Sequence, residues 1–129
     1  MEWSISNNNK KITVINGGHF SDLEGFYEEI SELFMNDEDW KVGTLDGFDD
    51  ILYGVNSDIT WKDSQKSKED LGFELTKEFY ENKIRQGKPF NVKLIQQKLD
   101  DLMDGKGQTL FEILVEIIES HRNITLILD

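Results

Sequence analysis

The chain has 129 residues, no cysteine and a formal net charge of −12. That length suits one domain, residues 1–129, with a core that needs no disulfide or metal staple, and the missing cysteine excludes a disulfide framework and a thiol nucleophile. No apolar run is long enough to span a bilayer, and the opening MEWSISNNNKK lacks the charged start and apolar block of a secretory signal, so a cytoplasmic location with no membrane partner is expected.

Residues 1–10 are polar and Asn-rich, and fraying is expected there. Lys11–Asn16 (KITVIN) is rich in β-branched residues and ends at Gly17-Gly18, which predicts a buried strand and a turn. Ser21-Asp22-Leu23-Glu24 matches a capping box with Ser21 as the cap. Leu23, Phe26, Tyr27, Ile30 and Phe34 follow at helical spacing, and the helix is expected to end near Met35. Asn36–Gly43 is a polar connection that holds Trp40. Thr44 caps a second, short helix whose apolar side is Leu45, Phe48, Ile51 and Leu52, and Gly54 is expected to stop it in the left-handed conformation.

Asp58–Lys62 (DITWK) predicts a second strand. Leu71, Leu75 and Phe79 predict a helix ending at Gly87, before the break at Lys88-Pro89. Val92, Ile95, Leu99, Leu102 and Met103 predict another, closed by Gly105. Thr109 caps a last helix with Leu110, Ile113, Leu114, Ile117 and His121 on one face, and Asn123–Leu128 (NITLIL) predicts a buried strand. Strands separated by helices imply a parallel sheet with right-handed crossovers, here a small three-stranded α/β fold.

The charge is unevenly spread. Residues 22–50 hold eleven acids and a single base, Lys41, whereas residues 62–98 hold nine bases against six acids. An acidic region of that density repels phosphate backbones, so direct nucleic-acid binding is not expected, and a basic protein is the matching partner. The second helix concentrates the pattern. Asp46, Asp49, Asp50 and Tyr53 are spaced i, i+3, i+4, i+7 and share one face. The helix dipole favours Asp46 in the first turn but does little for Asp49 and Asp50, so local stability does not account for them; the plain reading is a solvated polar face.

Enzyme chemistry finds little footing. Asp46, Asp49 and Asp50 suit a Mg²⁺ ion, but no basic residue or phosphate loop stands beside them. Asp100–Glu112 fails the calcium-loop pattern, because Leu102 and Phe111 stand where oxygen ligands are required. His19 and His121 are the only histidines; each reads as a surface or capping residue, not a metal ligand. No Walker, dinucleotide or G-x-S-x-G motif is present. No catalytic residue, metal or cofactor is expected.

Two blocks, KITVINGGHFSDLEGFYEEISELF through TLDGFDDILYG and LFEILVEIIESHRNITLILD, resemble the barstar family of ribonuclease inhibitors in their ordered combination. The resemblance covers roughly half to two-thirds of the chain. It implies a barstar-like three-stranded parallel sheet packed with helices, and a short second helix that plugs the active site of a nuclease toxin. By matching position it implies that Asp50 is the central inhibitory aspartate, with Asp46 one turn earlier, Tyr53 and Gly54 at the contacting end, Glu116 from the final helix and Trp40 from the preceding loop. The chain departs from the family at Lys41-Val42-Gly43-Thr44, Asp49 and Val55, so the resemblance names no particular target. The stretch of about 63–101 is longer than the short family members carry and too long for a plain loop, which implies inserted helices. The expected function is an immunity-type inhibitor forming a stoichiometric complex with a basic nuclease. The rival is an acidic interaction module of the same fold that inhibits nothing.

Overall fold

The computed structural model describes residues 11–129, so the fraying expected for residues 1–10 lies outside it. Three strands, β1 (Lys11–Asn16), β2 (Ser57–Lys62) and β3 (Leu126–Leu128), form one parallel sheet in the order β1-β2-β3. Helices α1 (Leu23–Phe34) and α2 (Leu45–Leu52) connect β1 to β2. Four more, α3 (Ser64–Asp70), α4 (Phe73–Gln86), α5 (Val92–Met103) and α6 (Leu110–Glu119), connect β2 to β3. The predicted small α/β fold with a parallel sheet packed against helices is what forms. No helix among the described residues is long and apolar enough to cross a membrane.

The register places Ile15 beside Trp61 and Ile59 beside Leu126, so these side chains share one face of the sheet. That face carries the main core. Ile15, Ile59 and Trp61 are fully buried with Phe26, Ile30, Phe48, Leu52, Leu114 and Ile118. Ile12, Val14 and Ile127 lie on the opposite face and remain exposed. The first strand is therefore one-sided, not buried throughout. The last is shorter than Asn123–Leu128 and lies at the sheet edge, which leaves Ile127 and Leu128 about half exposed.

The turn after β1 depends on a close approach. A Cβ on Gly17 would stand 2.7 Å from the Lys62 and Asp63 carbonyl oxygens, so only glycine lets the ends of β1 and β2 pass. Lys66 on α3 locks the same turn: its ammonium donates to the Gly17 and Phe20 carbonyls, to Ser21 and to Asp70. Helix α3 escapes a periodicity search because SQKSKED contains no apolar residue. Its one buried side chain, Ser67, accepts a 3.0 Å hydrogen bond from the Trp61 indole.

Local signals place most helix starts. Thr44 caps α2 through the Gly47 N–H, and Thr109 with Glu112 makes a reciprocal capping box on α6. At α1 the expected cap shifts by one residue: Asp22, not Ser21, accepts from Gly25 N–H, because Ser21 is taken up by Lys66. Positive φ occurs at Gly87 and Gly105 but not at Gly54; α2 ends instead through right-handed Tyr53. Helix α6 is turned slightly from its expected face, burying Phe111 and Ile118 while Ile113 and Ile117 are only partly covered.

Helices α4 and α5 pack on each other around a second, smaller cluster of Tyr80, Ile95, Leu99 and Leu102. Phe79 touches both clusters and joins this hairpin to the main core.

Candidate partner-binding face

Helix α2 is held from below. Phe48 and Leu52 are fully buried, and the Phe48 ring meets Phe26 edge-on at 5.1 Å. The loop before it is held as well, because buried Val42 donates its N–H to Ser31 at 2.9 Å. This brings the Trp40 indole, about half exposed, over the first turn of α2 at Gly47. A Cβ there would stand 3.3 Å from the Trp40 ring and 3.1 Å from the Thr44 hydroxyl, so the indole uses the space glycine leaves.

The outer side of α2 presents Asp46, Asp50, Tyr53 and Gly54 to solvent, with Tyr53 74% exposed. Asp46 and Asp50 form no ion pair with any lysine or arginine among the described residues. Asp46 still acts through space. Tyr27 below it has its phenol pushed up to about 12, by burial first and by the Asp46 charge second.

Asp49 departs from its three companions. One carboxylate oxygen accepts a 2.7 Å hydrogen bond from Nε2 of His121, which is only 6% exposed. The exposed Tyr53 ring stands edge-on to the His121 ring at 4.6 Å. Asp49 therefore has a structural reason that local helix energetics lack: it satisfies a buried histidine and ties α2 to the end of α6. His121, expected at the surface, is the positioning residue that sequence reasoning missed. Its place on the apolar face of the last helix was the available signal. His19 stays within its own turn, where Glu29 and Asn16 hold it.

Glu116 is exposed on α6 and accepts from Gln108 at 3.2 Å. It lines a groove that also includes Leu45, the first residue of α2, but it is not part of the Asp46–Asp50 strip. The face thus joins Trp40, Asp46, Asp50, Tyr53 and Gly54 on one loop and helix, with Glu116 on a neighbouring element. Among the described residues no group of three or more histidines and carboxylates is arranged to hold a metal ion. What the arrangement can do is present solvated negative charge on an exposed helix face, where a cationic group can meet it. Comparison with family models, with curated proteins and with solved structures returns no match for this chain.

Proposed function

We propose that the chain is a barstar-like inhibitor, an immunity-type protein that binds a basic nuclease one to one and occupies its active site with α2. A nuclease site gathers cationic side chains to hold phosphate, and a rigid carboxylate fills such a site through charge-assisted hydrogen bonds. The observation that carries this reading is the pair Asp46 and Asp50. Both are exposed and free of ion pairs among the described residues, on a helix whose opposite side buries Phe48 and Leu52. Internal stability gives Asp50 no reason and favours Asp46 only through the helix dipole and the Lys83 charge, whereas association with a basic protein accounts for both. Trp40, Tyr53 and Gly54 extend the contact, Glu116 adds a carboxylate at its edge, and Asp49 braces the helix through His121. The protein works by binding, without turnover, and its place is the cytoplasm where the nuclease must be silenced.

The test uses the purified chain against a panel of small basic ribonucleases and deoxyribonucleases. Inhibition should saturate at one equivalent. Asp50→Ala should weaken the complex by at least about 2 kcal/mol, the scale of hydrogen bonds to charged groups. Asp37→Ala, an exposed charge away from α2, should change it by less than about 0.5 kcal/mol. Raised salt should slow association more than it speeds dissociation. Equal small losses from both substitutions would reject the site, and binding that leaves cleavage untouched would favour a non-inhibitory interaction module.

A further inference from the structure

The chain carries twelve more negative than positive charges, yet one groove runs against that balance. It lies between α4, α5 and α6, encloses about 480 Å³, and is lined by Lys83, Lys98 and Lys106 together with Gln108. Asp101 and Glu116 also line it, hydrogen-bonded by the neutral Gln97 and Gln108 amides, so the lysines exceed the carboxylates by one charge. None of the three lysines forms an ion pair with a carboxylate among the described residues. Lys83 is fixed in place, its ammonium 4.4 Å above the Phe79 ring and 4.7 Å from the Phe90 ring. Burial first and the nearby Lys98 charge second lower its pKa, against an opposing pull from Asp46.

A second observation points into the same groove. Tyr80 lines it and is 7% exposed, but its hydroxyl has no hydrogen-bond partner among the described residues. Because Tyr80 lines the groove, that hydroxyl is left for water or a ligand to meet. Burial also raises the Tyr80 pKa, which keeps the phenol a protonated donor at neutral pH. The remaining wall, Leu45, Phe79, Ile95 and Ile113, is apolar.

We infer that this groove binds a small organic phosphate, with Lys83, Lys98 and Lys106 holding the phosphate, Tyr80 donating to one of its oxygens, and the apolar wall taking the organic part. A phosphate matches three ammonium groups and a phenol better than a single carboxylate does, because it brings more charge and three acceptor oxygens. The apolar wall calls for an organic body, and the volume lies within the roughly 300–1,000 Å³ of small-molecule sites. The inference does not require nuclease inhibition: Asp50 is not among the groove's lining residues, although Glu116 belongs to both faces and Asp46 acts on Lys83 through space.

The experiment is an amide-resolved NMR titration of the full chain with adenosine monophosphate, adenosine and inorganic phosphate at low salt. Adenosine monophosphate should shift the amides of Lys106, Gly107 and Gln108 and those around Tyr80 and Lys98, more tightly than inorganic phosphate, while adenosine leaves them unmoved. Replacing the two exposed lysines together, Lys98→Gln with Lys106→Gln, removes two charged contacts and should weaken binding by more than about tenfold, the scale of a single one. Tyr80→Phe, which removes only the hydroxyl, should weaken it several-fold, and Asp50→Ala should leave it unchanged. No shift at millimolar ligand overturns the inference, as do shifts centred elsewhere or affinity indifferent to the double lysine replacement. Inorganic phosphate binding as tightly as adenosine monophosphate would overturn the ligand class.

Discussion

The sheet-centred core and the α4–α5 hairpin are both hydrophobic clusters, but they are built differently. In the core, Phe26 stacks on Trp61 at 5.4 Å and 22°, meets Phe48 edge-on, and brings together residues from β2, α1 and α2. Its polar groups are matched: the Trp61 indole has Ser67, buried Ser31 has Val42, and His121 has Asp49. The hairpin buries Tyr80, Ile95, Leu99 and Leu102 incompletely and mostly through contacts between two adjacent helices. It also leaves the Tyr80 hydroxyl, on the groove wall, without a hydrogen-bond partner among the described residues. The contrast teaches that the long-range core fixes geometry, here the pose of α2, whereas the local hairpin has room to accommodate something else.

The sharpest way to break that contrast is to hollow out each cluster and follow urea unfolding by far-UV circular dichroism. Trp61→Ala empties the centre of the main core and should cost about 3–5 kcal/mol. Leu99→Ala should cost about 2–3 kcal/mol, the low end for a buried leucine, because its site is shallower and closes more easily. Equal losses would mean that the two clusters are one.

Alkaline titration sharpens the same comparison. The Tyr27 phenol sits at about 12 in the folded protein against 10.0 unfolded, so the native state holds the proton more tightly. Its contribution is fully present below pH 10 and is lost as pH rises through 12. Tyr27→Phe should remove that part of the alkaline loss, roughly 2 kcal/mol relative to the parent at pH 12. The check is the difference between parent and variant unfolding curves from pH 8 to 12.

The smallest effect is expected at the brace between α2 and α6. Asp49→Ala leaves buried His121 without its acceptor and should cost about 1–2 kcal/mol. Asp46→Ala, on an exposed carboxylate one turn earlier, should stay within about 0.5 kcal/mol. Thermal unfolding of the two variants distinguishes them, and similar midpoints would remove His121 as a positioning residue.

Much of the fold was legible because its signals are local. The apolar spacing of Phe26, Tyr27 and Ile30 and the caps at Thr44 and Thr109 each act within one or two turns of backbone. The candidate face was legible for the same reason, since the i, i+3, i+4, i+7 spacing of Asp46, Asp49, Asp50 and Tyr53 follows from helix geometry alone. Helix α3 was not, because it is amphipathic only through Ser67, and a serine becomes a core residue only when a tryptophan from another strand reaches it.

The amino-acid order by itself determined the three strands, every helix but α3, the parallel class of sheet and the strip of acids on α2. Only the tertiary structure decided which acid faces inward, which serine yields its cap to Lys66, and which lysines gather in one groove. Asp49 and His121 are 72 positions apart, and Lys83 shares its groove with Lys106 on another element. Helix and strand periods report what lies within a few residues. Pairings across such distances depend on how the layers stack, and burial then gives each side chain its charge environment and its partner.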